Sequence, residues 1–102
     1  MAILITAASS AIAYKLERLL NESEVYFAEQ IEMPEIPGKR FIRIPDASSP
    51  IFTSEMLKIC LDNHIVKIFP LKVPEIKELS KADQLFKEYG INIILLSNDW
   101  IL

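Results

Sequence analysis

The chain predicts an α/β fold on a mostly parallel sheet of five strands, from three observations. Short apolar runs recur along its 102 residues, most of them separated by helical stretches of about ten residues, the spacing of parallel strands joined by crossovers. Apolar residues make up 51% of the chain, which suits a sheet covered on both faces. The first apolar run passes through very small residues straight into a helical pattern. In open α/β sheets that strand–turn–helix forms one wall of the ligand crevice.

The elements follow in order. Ala2–Ile5 is apolar without alternation, as a central strand buried on both faces should be. Thr6-Ala7-Ala8-Ser9-Ser10 is the turn, and Ser9 or Ser10 can cap the helix through its hydroxyl. Ile12, Leu16, Leu19 and Leu20 form a core-facing stripe, with Lys15, Glu17 and Arg18 opposite and Asn21 as the stop. Val25–Ala28 is the second strand. Pro34, Pro37 and Gly38 make Gln30–Gly38 a loop, and Phe41–Ile44 is the third strand. That link is barely long enough for a parallel crossover.

Ser49 with Pro50 behind it reads as an N-cap and first helical residue. The helix runs to about Asn63, burying Phe52, Met56, Ile59 and Cys60 beside Leu57 and Leu61. Ile65–Phe69 is the fourth strand, closed by Pro70. A helical turn covers Pro74–Leu79. Ser80 then caps another helix, with Asp83 in a capping-box position and Leu85, Phe86 and Tyr89 inward. Gly90 supplies a left-handed C′ residue before the fifth strand, Ile91–Leu96. The expected result is a three-layer α/β/α sandwich, Rossmann-like, with strand order 3-2-1-4-5.

Length fits one domain, residues 1–102. No apolar run approaches the ~18 residues of a membrane span, so no membrane association is expected. The amino terminus has no basic n-region or cleavage motif, and Cys60 is the only cysteine. Both predict a reducing, cytoplasmic setting. Net charge is −3. The one basic cluster, Lys39, Arg40 and Arg43, reads as a solvated strand edge, so no nucleic-acid partner is expected.

The residues that could carry chemistry gather at the first turn. A dinucleotide fingerprint needs glycines where this chain has Ala7, Ser10 and Ala13. Small residues there pack the helix tightly on the sheet, and this reading is preferred. A weaker reading makes Thr6, Ala7, Ala8, Ser9, Ser10 and Ala11 an anion cradle, because a helix N-terminus offers free N–H groups. Glu29, about twenty residues on, stands where an acidic residue meets ribose hydroxyls. A solvated loop carboxylate is the simpler account of it. Lys72, beyond the fourth strand, either meets an anion at the same edge or is solvated.

His64 and Cys60 are two residues, too few for a metal site, and Cys60 falls on an apolar face. No serine has the nucleophile-elbow context. Neither catalytic nor metal-binding residues are therefore expected. The last residues, Trp100, Ile101 and Leu102, are apolar, and either dock on the domain or cover a neighbour.

Taken together, these stretches resemble a pre-ATP-grasp domain, the Rossmann-like amino-terminal unit of carbamoyl-phosphate-synthase-like and other ATP-grasp ligases. The likeness rests on ILITAASSAIAYKLERLL, VYFAEQ, FIRIPDASSPIFTSEMLKICLDNHI, VKIFPLKVPEI and FKEYGINIILLS, and covers nearly the full length. Leu71, Lys72 and Val73 depart from the small polar and acidic residues often found there, while Glu75 keeps an acidic match. In the family the ATP and metal ligands lie in the downstream domain. The resemblance therefore implies no cofactor in this chain, with ATP and Mg only where a separate ATP-grasp domain is present. It implies a non-catalytic module that packs on an ATP-grasp domain or on a second copy, through apolar surface including Trp100, Ile101 and Leu102. The alternative is a small-ligand domain, holding a nucleotide fragment or carboxylate at the helix start with Glu29 and Lys72 at the rim.

Overall fold

A computed structural model describes residues 1–102. Strands β1 (Ala2–Ile5), β2 (Val25–Glu29), β3 (Arg40–Arg43), β4 (Ile65–Phe69) and β5 (Asn92–Ile93) are joined by helices α1 (Ala11–Leu20) after β1, α2 (Phe52–Asp62) after β3, and α3 (Val73–Lys81) and α4 (Asp83–Glu88) after β4. The sheet order is β3-β2-β1-β4-β5, and every neighbouring pair is parallel. The chain runs outward from β1 to β3 and returns to β4 on the other side. The C-terminal ends of β1 and β4 are therefore the point where strand order reverses, the place where such sheets open a crevice.

All four residues of β1 are buried, and they alternate between two cores. Ala2 and Leu4 join Phe52, Met56 and Cys60 of α2, Leu79 of α3 and Phe86 of α4. Ile3 and Ile5 join Ala13 and Leu16 of α1, with Phe27 and Phe69. Only one helix covers this second face. Ile94, Leu96 and Trp100, from the chain after β5, complete it. Trp100 lies in a short 3-10 turn, Asn98–Trp100, with the Lys15 ammonium 5.8 Å from its ring. The Leu102 N–H donates to the Leu71 carbonyl at 2.7 Å. The tail docks on its own domain.

The expected stripe on α1 is rotated in the structure. Leu19 is 64% exposed, and Ala13 takes an inward place below the first turn. A methyl there lets the helix approach the sheet, while Tyr14 seats its ring 4.8 Å from Phe27 and donates its hydroxyl to the Ala8 carbonyl at 2.6 Å. α2 starts at Phe52 rather than Pro50. Ser49 Oγ accepts from the Ile51 N–H and its carbonyl from the Phe52 N–H, so this serine closes a turn before the helix instead of capping it. Ser80 lies inside α3, and no side chain caps α4. In the six residues of α4 only Phe86 is buried, and Leu85 and Tyr89 are exposed, because so short a helix presents one position to the core. The fifth strand shrinks to a two-residue ladder, extended by a bond from the Ile94 N–H to the Ile68 carbonyl. The helix-free link from β2 to β3 does run parallel, with Met33 packed on the α1 face.

Two helices stop in left-handed residues, Asn21 (φ 51°) and His64 (φ 56°). Asparagine tolerates this geometry, whereas histidine at an exposed position gains little to offset it. His64→Gly should therefore raise stability by about 0.5–1 kcal/mol, because the strain relieved exceeds the added unfolded-state entropy. Urea denaturation reads the change directly.

Candidate functional site

The switch point brings together the ends of β1, β2 and β4. Thr6 leaves β1 and is fully buried. Its N–H donates to the Phe69 carbonyl at 3.2 Å, and its Oγ1 accepts from the Leu71 N–H at 2.8 Å, tying the two strand ends together. Ala7 then turns the chain at φ 59°, the left-handed conformation for which a dinucleotide turn uses glycine. This chain makes the turn without one, and buries the alanine methyl to 1% exposure. The Ala8 N–H donates to the Ala28 carbonyl. Ser10 is the N-cap of α1, its hydroxyl accepting from the Ile12 N–H at 3.3 Å. Ala11 is the first helical residue and is exposed.

Ser9 does something other than cap. Its N–H donates to Glu29 Oε2 at 3.0 Å and its hydroxyl to the same oxygen at 2.7 Å. Glu29 Oε1 accepts from the Gln30 N–H at 2.9 Å and from Lys72 Nζ at 3.0 Å. Glu29 is thus a buried carboxylate, 4% exposed, and neither solvated nor free at the rim. Its own burial is the largest single influence and acts to raise its pKa. The hydrogen bonds from Ser9, Gln30 and Lys72 together outweigh that and lower it from 4.5 to about 2. In chemical terms, the amide that would greet an incoming anion already holds one. The protein's own carboxylate occupies the turn that leads into α1, and Lys72 balances its charge.

All eight residues singled out in the sequence lie at this edge. Ser9, Lys72 and the Gln30 backbone converge on Glu29 in one hydrogen-bonded cluster, and Thr6 ties down the neighbouring Leu71 in a separate bond. Glu75 joins them unanticipated. It is the third residue of α3 and 1% exposed, and its Oε1 has no hydrogen-bond partner. Burial raises its pKa, against opposing contributions from the Thr6 hydroxyl and Lys72. An acidic residue directly after Pro74, at a helix start, is visible in the sequence. Its burial depends on Thr6 and the strand ends, and carboxylates are seldom fully buried.

Other candidates lie elsewhere. Cys60 and His64 flank the opposite, N-terminal end of β4. Burial pushes the Cys60 thiol up to about 12, leaving it protonated and unreactive. The basic cluster is divided among separate partners. Lys39 pairs with Glu17 at 2.6 Å, Arg40 lies 5.3 Å from the Tyr26 ring, and Arg43 Nε donates to the Gln30 carbonyl. The largest depression, about 590 Å³, lies against the β2–β3 link beside Met33, Ile36 and Phe41 rather than at the first turn. No family model matches the chain, and no curated protein matches it either.

Proposed function

We propose that this chain is a non-catalytic module of the pre-ATP-grasp type, cytoplasmic, whose C-terminal sheet edge packs on an ATP-grasp domain or on a second copy. The observation that carries this reading is the Glu29 carboxylate on the Ser9 amide and hydroxyl. A crevice filled from within is a scaffold first, and an anionic ligand would have to displace a buried, ion-paired carboxylate to enter it. Exposed apolar groups stand beside the lock. Val73 is 58% and Leu102 52% exposed, on either side of the Leu71 carbonyl bond that docks the tail. Surface of this kind is favourably covered, each buried methylene contributing about 0.8 kcal/mol. ATP and Mg would belong to the partner domain.

The test is co-expression with an ATP-grasp domain encoded in an adjoining reading frame, followed by hydrodynamic mass and ATP turnover with and without this chain. A stable complex, or a dimer of this chain in the micromolar to millimolar range, is the expected result. A strictly monomeric chain with no such neighbouring domain overturns the reading. Adenine nucleotides separate it from the small-ligand alternative. At millimolar nucleotide the Ser9, Ser10 and Ala11 amides should not move in an NMR titration. Saturable shifts at those amides would establish the ligand site instead.

A further inference from the structure

β3 closes one side of the sheet, with β2 as its only neighbour. The Ile44 N–H donates to the Glu29 carbonyl at 2.9 Å, and the β2–β3 ladder runs without a shift of register. Bonds in a parallel ladder engage every second residue of a strand, so Arg40, Ile42 and Ile44 direct theirs at β2. The N–H and C=O groups of Phe41 and Arg43 therefore point away from the sheet, free to pair with another strand. The opposite edge, β5, is only two residues long.

Two side-chain features say what such a strand should be. Phe41 also walls the depression of about 590 Å³, with Met33, Ile36 and Lys39, and Ile36 is 41% exposed there. A free strand edge beside an apolar recess suits an extended peptide, with main chain supplying affinity and the recess selecting a side chain. Arg40 and Arg43 are exposed, and neither guanidinium has a carboxylate partner. Arg43 Nε meets only the Gln30 carbonyl, and Arg40 lies over the Tyr26 ring. A second copy of β3 would bring its own arginines to the same seam, where like charges repel. An acidic strand finds two unpaired cations instead.

We propose that the β3 edge takes an extended acidic segment of a partner protein as a sixth strand. The segment's main chain pairs with Phe41 and Arg43, an apolar side chain enters the recess beside Phe41, and its carboxylates meet Arg40 and Arg43. This surface runs along the side of the sheet rather than across the strand ends, and does not rest on the packing proposed there.

Titration of the whole isotope-labelled chain with short acetylated, amidated peptides tests it. One peptide alternates valine and glutamate about a central leucine, a second carries lysine for every glutamate, and a third is the acidic peptide with proline for a central valine. Once saturated, the acidic peptide should slow hydrogen exchange at the Phe41 and Arg43 amides about tenfold or more, with little change at Ile42 and Ile44, which are already bonded. The lysine and proline peptides should bind about fivefold or more weakly. In the double variant Arg40→Glu, Arg43→Glu, both at exposed positions, the preference should reverse to the lysine peptide. Failure of the acidic peptide to bind at about 1 mM overturns the proposal and leaves the arginines as guards against edge pairing. Equal binding of the acidic and lysine peptides overturns it as well. So does protection of Phe41 and Arg43 that grows with protein concentration alone, which makes a second copy the occupant.

Discussion

Glu29→Gln should destabilise the protein by about 2–3 kcal/mol at neutral pH, more than any other single polar change at the sheet edge. The glutamine carbonyl can still accept from Ser9. Its amide nitrogen cannot accept from the Gln30 N–H or from Lys72, and Lys72 loses its ion pair. The pH dependence identifies the cause. The folded-state pKa is depressed, from 4.5 to about 2, so wild-type stability from this group is complete above the unfolded value and is lost as pH falls towards the folded one. The deficit of Glu29→Gln should therefore shrink as pH falls towards 2 and vanish below it, where the wild-type carboxyl also becomes neutral. Chemical denaturation of both proteins at intervals of pH gives the curve. A deficit that does not change with pH would mean that packing, not the carboxylate, is responsible.

Ala7→Val should cost about 2–4 kcal/mol, for two reasons that act together. A β-branched residue is strained at φ 59°, and the added methyls must enter a core that already closes over Ala7 at 1% exposure. Ala7→Gly separates the reasons. Glycine relieves the left-handed strain, but the core loses a buried methyl and the unfolded chain gains freedom, so the net change should stay within about 1 kcal/mol of zero. Thermal unfolding of the pair distinguishes a turn that is merely tight from one that requires a small side chain. Equal stability of wild type and Ala7→Val would show that the turn is slack.

The fold was legible because each of its determinants is local. The unbroken apolar run of β1, the punctuation of Asn21, Pro70 and Gly90, and the helix-length gaps between runs suffice to order the sheet. The errors fell where tertiary contact decides. Leu19 fits the helical period as well as Ala13 does, and only the closeness of α1 to β1 selects the smaller side chain. Ser49 and Ser80 carry capping chemistry that the structure spends on a preceding turn and on a helix interior. At the candidate site the sequence located the edge but not its state. Glu29 and Ser9 are twenty residues apart, and nothing in either says that the carboxylate folds back onto the amide. Glu75 needs the same three-dimensional knowledge, since its burial comes from strand ends distant in the chain.

Glu29 is the anion held on the Ser9 amide, in the turn before α1. An NMR titration of the Glu29 side-chain carboxyl carbon, with the Ser9 amide followed in the same samples, measures this directly. The expected midpoint is about 2, with the Ser9 amide moving at the same midpoint as its acceptor is protonated. A Glu29 midpoint near 4.5, its ordinary value, with a Ser9 amide indifferent to it, would contradict the account and leave the first turn open.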